Sequence, residues 1–393
     1  VQKVVKIGWL LAATLGLFSS SAFAYPTMIR HDYITCGQCH ADPSGGSLLT
    51  AYGRAQGEIL LRSLYGANPD EDPGVASEFM FGAFRLPEGL DMGGDIRVMA
   101  LATSANAGAW TPRVIPMQTD LVGQFTSGRL RVNASVGLGD GRATENASLT
   151  NGDIRLISRH HWVGADLGED NQYVLRFGRM NLPYGIRTTD HTTYVRSSTH
   201  TDTNDQQQHG FALAYASEHV RTEVMAIIGN LQMAPPAFRE RGYSGFFEWT
   251  PGNKTALGVS SKITHADLDE GRLQPRFRHS HGFFGRAALG KLFVLSAEGN
   301  FLFESARENP WKMGTSALLQ LNFEPTQGFV VQGTGEFYCP NFRGGSACQV
   351  AAWGTVNWYL GPHIDLRLDF IHDRATVGAS ASNKLLLQLH YFL

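Results

Sequence analysis

The chain has 393 residues, with 33 Lys and Arg against 35 Asp and Glu and a formal net charge of −2. That balance supplies no broad basic field, which sets nucleic acid aside as a partner. Charged residues make up only 17% of the chain, below the roughly 25% of an average soluble domain. Beyond residue 24 no apolar run reaches the roughly 18 residues that a membrane helix needs. A helical membrane protein is therefore excluded, but a β-barrel is not, because only alternate residues of its strands need be apolar.

Residues 1–24, VQKVVKIGWLLAATLGLFSSSAFA, read as an export signal. Lys3 and Lys6 give the positive start, Ile7 to Phe18 the apolar stretch, and Ala22-Phe23-Ala24 a small-x-small cleavage site. The mature chain is expected to begin at Tyr25, outside the reducing cytosol.

The run Cys36-Gly37-Gln38-Cys39-His40 follows closely. A C-x-x-C-H run is the attachment signature of a c-type haem. Two thiols spaced this way can form thioethers to the two haem vinyl groups, and the adjacent His40 supplies the proximal iron ligand. No βαβ pattern surrounds the pair, as a thioredoxin-like site would require, and no second close Cys/His pair completes a zinc site. One covalently attached c-type haem is expected on Cys36, Cys39 and His40. His31, nine residues upstream, is chosen as the second metal ligand. Met28, Met80, a residue of the barrel, or no sixth ligand at all are the alternatives.

Asp42-Pro43-Ser44-Gly45-Gly46 leads into an expected helix from Ser47 to about Leu64. Leu48, Tyr52, Ala55 and Ile59 recur there at helical spacing, with Leu49, Leu60 and Leu64 beside them and Gly66 as the cap. A haem module is thus expected over 25–75. At its end, residues 67–76 are acidic and hold two prolines, as a linker would. Residues 76–90 are a linker or plug segment of undecided structure.

From Asp91 to Leu393 the pattern turns to period two. Leu130, Val132, Ala134, Val136 and Leu138 oppose Arg129, Arg131, Asn133, Ser135 and Gly137. Ile364, Leu366, Leu368 and Phe370 oppose Asp365, Arg367 and Asp369. About 16 such runs, centred from near residue 97 to near residue 388, suit a bacterial barrel with an even number of strands. Short connections, such as 126–128, 250–253 and 361–363, mostly alternate with longer polar ones, such as 139–157, 181–207 and 339–348. This is the layout of short periplasmic turns and long external loops. The fold class is therefore mainly β: an outer-membrane antiparallel barrel of about 16 strands, with a small N-terminal helical haem module plugging its lumen.

Several features of this barrel can be anticipated. Its inward charges would be Asp95, Arg97, Asp120, Arg129, Arg131, Arg176, Glu298, Glu336, Asp365, Arg367, Asp369 and Lys384, most of them paired with one another. Leu385, Leu387, Leu389, Tyr391 and Leu393 form one apolar face at the carboxyl end. Cys339 and Cys348 bracket a turn-rich run and are expected to be joined by a disulfide. The 181–207 segment holds Asp190, His191, His200, Asp202 and Asp205, groups of the kind that bind Fe(II), but it is expected to be a solvated external loop. No H-E-x-x-H, G-x-S-x-G or phosphate-loop run occurs.

Export signal, one C-x-x-C-H and a barrel on one chain resemble the fused outer-membrane cytochrome–porins. The resemblance rests on Cys36, Cys39 and His40 and on the barrel layout. The stretch from Cys39 to Arg54 also looks like the single-haem modules of outer-membrane porins generally. The resemblance implies electron transfer across the outer membrane, from an extracellular donor such as Fe(II) to a periplasmic c-type cytochrome. If such a protein is an enzyme, it is an oxidoreductase of the Fe(II)-oxidising type. The run Arg30-His31-Asp32-Tyr33-Ile34-Thr35 differs from the Arg-Gln-Thr-Gly-like run of the iron-oxidising members, so the donor does not carry over. A solute porin with a periplasmic haem domain and outward electron flow are the alternatives.

Overall fold

The computed structural model describes residues 26–63 and 78–393, apart from 107, 141–144, 189, 191, 233–238, 269–272, 307–308, 343–346, 362 and 379–380. Residues 1–24 of the expected export signal, the whole 67–76 linker, Leu64, the Gly66 cap and His191 lie outside the described residues.

Strands make up most of the chain: β1 (Leu90–Ala105), β2 (Thr111–Ser127), β3 (Leu130–Asp140), β4 (Ile154–Ile157), β5 (His161–Leu167) and β6 (Tyr173–Met180). They continue with β7 (Gln208–Ala216), β8 (Val220–Gly229), β9 (Arg241–Gly252), β10 (Thr255–Ala266), β11 (Arg276–Leu289) and β12 (Phe293–Ala306). The last are β13 (Asn309–Thr326), β14 (Phe329–Cys339), β15 (Gln349–Gly361), β16 (Ile364–Ala375) and β17 (Ala381–Phe392). Every pairing is antiparallel, and all but β1–β17 and β3–β5 join sequence neighbours. β17 closes the ring on β1 from Asp95↔Phe392 to Ala105↔Ser382. β4 and β5 both pair with β3, one beyond the other. They fill one place in the wall, which therefore has 16 positions. Closure leaves no strand edge unpaired, as a bilayer demands.

The period-two pattern has the expected sense. Leu130, Val132, Val136 and Leu138 of β3 point outward and are exposed, as are Leu385, Leu387 and Leu389 of β17. Asp95, Arg97, Glu298, Glu336, Asp365, Arg367 and Asp369 are buried inside. They are mostly paired, as in Arg367 with Asp369 at 2.8 Å and Asp95 with His390 at 2.9 Å. Two expectations are corrected. Arg129 is exposed and does not face the lumen, because it sits in the turn before β3 begins. Leu393 does not extend the outward apolar row; it is buried beyond the end of β17. The exposed apolar side chains encircle the wall, a surface that suits lipid and not water.

The helix α1 spans Ala51–Leu60, shorter than the Ser47 start suggested. Its start is delayed because the preceding residues pair backward. His40 bridges to Leu49, the Ala41 amide donates to Leu48 O at 3.0 Å, and the Thr50 amide donates to Cys39 O at 2.9 Å. Thr50 then caps the helix, its hydroxyl accepting from the Gly53 amide at 3.1 Å. The buried residues of α1 are Gly53, Arg54 and Glu58, while Tyr52 is exposed. The expected Tyr52 face is therefore not the core face, because the helix packs against a polar lumen.

The segment 181–207 is the largest departure from expectation. It is not a solvated external loop but folds into the lumen, carrying the short helix α2 (Tyr194–Thr199). Its polar groups meet the polar inner wall. Tyr184 Oη donates to Asn300 Oδ1 at 2.8 Å, the Ile186 amide donates to Glu298 Oε2 at 2.9 Å, and Asp190 pairs with Arg367 at 2.5 Å. A loop rich in such groups reads as solvent-exposed in sequence, yet the charged wall satisfies it equally well.

Candidate functional site

Residues 26–63 lie within the barrel mouth that carries the short turns. Their contacts run around much of its circumference. Lys254, in the turn after β9, donates to Arg30 O at 2.6 Å. Arg30 itself pairs with Glu324 of β13. Arg286 of β11 donates to Ile34 O at 2.7 Å, and Arg176 of β6 pairs with Asp42 at 3.3 Å. Gln327 donates to Ile59 O at 2.7 Å and to Arg62 O at 3.0 Å. The Ser63 amide donates to Tyr359 O at 3.0 Å, and Trp358 Nε1 to Ser63 Oγ at 3.0 Å. The segment is a plug, tied to the wall by buried ion pairs and backbone hydrogen bonds.

Inside the plug, a single 3₁₀ turn, Cys36–Gln38, organises the C-x-x-C-H run. The Cys39 and His40 amides both donate to Cys36 O, at 3.2 and 3.0 Å. That turn brings positions i, i+3 and i+4 together, so Cys36, Cys39 and His40 line one cavity. The cavity is part open, and it lies between plug and wall. The plug contributes Met28, Leu49 and Leu61 and the wall Tyr359, Gly361, His363 and Phe392.

The residues fit a haem in several respects. His40 is buried, and burial lowers its pKa to about 4, so the ring is neutral and its lone pair available. Burial also pushes the Cys39 thiol up to about 11, with Cys36 adding to the rise. A thiol of that kind is a poor redox nucleophile, unlike the cysteine of a dithiol oxidoreductase. On α1, Gly53 and Gly57 stand one turn apart, both on the cavity. A Cβ on Gly53 would lie 2.2 Å from Cys39 O, so only glycine lets the helix approach the C-x-x-C-H backbone this closely. A Cβ on Gly57 would meet nothing within 4 Å, leaving a flat, open face. Arg54, Arg62 and Arg286 also line the cavity and offer positive charge to carboxylates such as the haem propionates.

His31 is half-buried and is not among the lining residues; its Nε2 accepts from Arg30 Nε at 3.0 Å. Met28 lines the cavity, while Met80 lies in the 3₁₀ turn Phe79–Gly82 that precedes β1. The wall residue His363 lines the cavity as well. No periodicity or motif singled it out, because a histidine in a tight turn between strands carries no signal of its own.

A second, larger space opens among the long-loop ends of the strands. This vestibule is lined by residues of both signs, including Arg97, Asp190, Glu336, Arg367 and Lys384. A small cavity adjoins the vestibule and the plug. Arg97 and Asn204 belong to it and to the vestibule, while Gly46 and Ser47 belong to it and to the plug. Cys339 and Cys348 form a disulfide across the β14–β15 connection, at the long-loop end of these strands. Among the described residues no group of three or more His, Cys, Asp or Glu side chains forms a metal cluster.

No family model matches the chain, and no curated protein matches it. Solved structures do. The outer-membrane expressed OmpT of Vibrio cholerae aligns with a TM-score of 0.61 at 10% identity, covering 79% of this chain and 99% of its own. An anion-selective porin from Comamonas acidovorans aligns at 0.54 and 11% identity, over 77% of this chain and 99% of its own. The outer-membrane channel DcaP of Acinetobacter baumannii gives 0.54 and 12% identity, over 79% and 99%. At such identities the likeness establishes the fold: a closed 16-strand antiparallel barrel of the outer-membrane porin type.

Proposed function

We propose that this chain resides in the bacterial outer membrane and transfers electrons through a single c-type haem held in its plugged lumen. The haem would be bound by Cys36 and Cys39 with His40 as proximal ligand. The observation that carries the reading is the C-x-x-C-H turn, whose Cys36, Cys39 and His40 line one cavity between plug and wall. When bound, the haem supplies a one-electron redox centre. The chain's residues do the rest. Leu49, Leu61 and Phe392 keep the site apolar, and Arg54, Arg62 and Arg286 balance carboxylate charge. The wall seals the plug in place. A band of apolar surface roughly 25 Å tall separates the two sides of such a barrel, so a haem inside the lumen shortens the distance an electron must cross. An extracellular reductant such as Fe(II) would reach the vestibule, and a soluble periplasmic cytochrome would meet the plugged mouth. Outward flow uses the same path, since direction follows from the partners' potentials.

The test uses the purified protein in sealed liposomes with the long loops outward. Fe(II) held outside by a membrane-impermeant chelate should reduce the oxidised haem rapidly. Reduction only by a reductant trapped inside would place the haem out of external reach and overturn the conduit.

A solute porin is the second reading, favoured by the vestibule and by the porin-type fold. Single-channel conductance separates the two. A plugged conduit passes little current, whereas a porin conducts.

A further inference from the structure

We infer that His363, a residue of the barrel wall, supplies the second axial ligand to the iron, so that one haem would be held jointly by plug and wall. The inference rests on the haem reading above and deepens it. Two imidazoles line the cavity that contains the attachment cysteines, and they reach it from separate elements: His40 from the plug and His363 from the β15–β16 turn. Joint ligation by plug and wall would use one imidazole from each, and the cavity has one from each.

His363 is held as a positioned side chain would be. It is 2% exposed, its backbone adopts φ 61°, and its carbonyl accepts from the Phe392 amide at 2.7 Å. A positive φ is uncommon outside glycine, although histidine is among the residues enriched there. The conformation is fixed by the turn and by the plug, since the backbone amide of His363 donates to the Glu58 carboxylate of α1. Phe81 packs edge-on to the ring at 4.8 Å, and Phe392 lies at 5.7 Å. His31 is engaged by Arg30 outside the cavity lining, whereas Met28 lines the cavity, packed against Leu61, Val330 and Tyr359, and is the competitor that the experiment must separate from His363.

Two nitrogen ligands favour a low reduction potential, whereas a methionine partner raises it. Joint ligation also makes the plug part of the wall, so haem attachment and plug retention become coupled.

The experiment uses the full chain matured with haem. Covalent haem staining and haem quantitation come first; a folded barrel without haem would overturn both the haem reading and this inference. With haem attached, electron paramagnetic resonance of the oxidised protein should show a low-spin, bis-nitrogen signal. His363→Ala should retain haem but turn high-spin, and added imidazole should restore the low-spin signal. His363→Met should raise the reduction potential and give a thioether–iron absorption band. His363→Asn, which tolerates the same backbone region, guards against misfolding and should also turn high-spin. A high-spin wild type, or a low-spin signal unchanged in both His363→Ala and His363→Asn, would overturn the assignment while leaving the haem reading intact. Conversion to high spin by His31→Ala or Met28→Leu, and not by the His363 variants, would overturn it in favour of those residues.

Discussion

Gly53 and Gly57 are chemically identical and physically opposite. At Gly53 an added methyl group collides with Cys39 O, and overpacking of this kind costs about 1–3 kcal/mol. Gly53→Ala should therefore lower the melting temperature and the yield of attached haem. Gly57 faces open space, and alanine is the better helix former by about 1 kcal/mol. Gly57→Ala should leave the chain's stability unchanged or improved, while Gly57→Phe should block haem attachment. Thermal unfolding together with haem staining distinguishes these effects. Glu58 makes a pH prediction. Burial raises its pKa from 4.5 to about 7, partly offset by Arg62 and by the His363 amide. Between those values the folded plug holds a proton that the unfolded chain has released. Plug stability should thus fall as pH rises through this window and level off above it. Unfolding measured across the window in a Cys36→Ser/Cys39→Ser chain, which cannot attach haem, should show that slope, and Glu58→Gln should flatten it.

At the scale of elements, the plug is held by groups that the barrel buries for it. Glu248 of β9 pairs with Arg221 at 3.1 Å and with Arg286 at 3.0 Å. These arginines reach on to Cys36 Sγ, at 2.7 Å, and to Ile34 O. Removing the shared acid strands two buried cations, a change that costs about 3–5 kcal/mol where it has been measured. Glu248→Ala should loosen the plug and raise single-channel conductance. The Cys339–Cys348 bond acts at the opposite end, closing a sequence separation of 9. Loop-closure entropy assigns it about 2–3 kcal/mol. Replacing both cysteines by serine should lower denaturant stability by that order and leave the haem spectrum untouched.

Over the whole molecule, the two faces of the wall face different solvents, and a single strand can test this. Leu387 of β17 is paired with Leu368 and Ala100 and points outward. Arginine on the lipid face near the bilayer midplane costs about 2–4 kcal/mol. Leu387→Arg should reduce barrel folding into liposomes by that order, measured by equilibrium folding titration. The neighbouring Gln388 lines the vestibule, so Gln388→Arg should be tolerated.

The wall was legible in the sequence because a strand's side chains alternate by covalent geometry, so one face of each run announces lipid and the other a polar lumen. Every expected run corresponds to a strand, and the Cys36, Cys39 and His40 grouping follows from local spacing alone. The placement of polar segments was not legible. Residues 181–207 look like solvent-facing loop, and the helix α1 shows no apolar face matching its real one, because a charged lumen and bulk water satisfy the same side chains. For the same reason no local pattern marked His363, Gly53 or Glu248: each matters only through what lies across the barrel from it. Sequence by itself determined the strands and the close spacing of Cys36, Cys39 and His40. Tertiary structure alone decided that the motif sits inside the wall, because closing the ring creates the enclosed polar space that the plug fills.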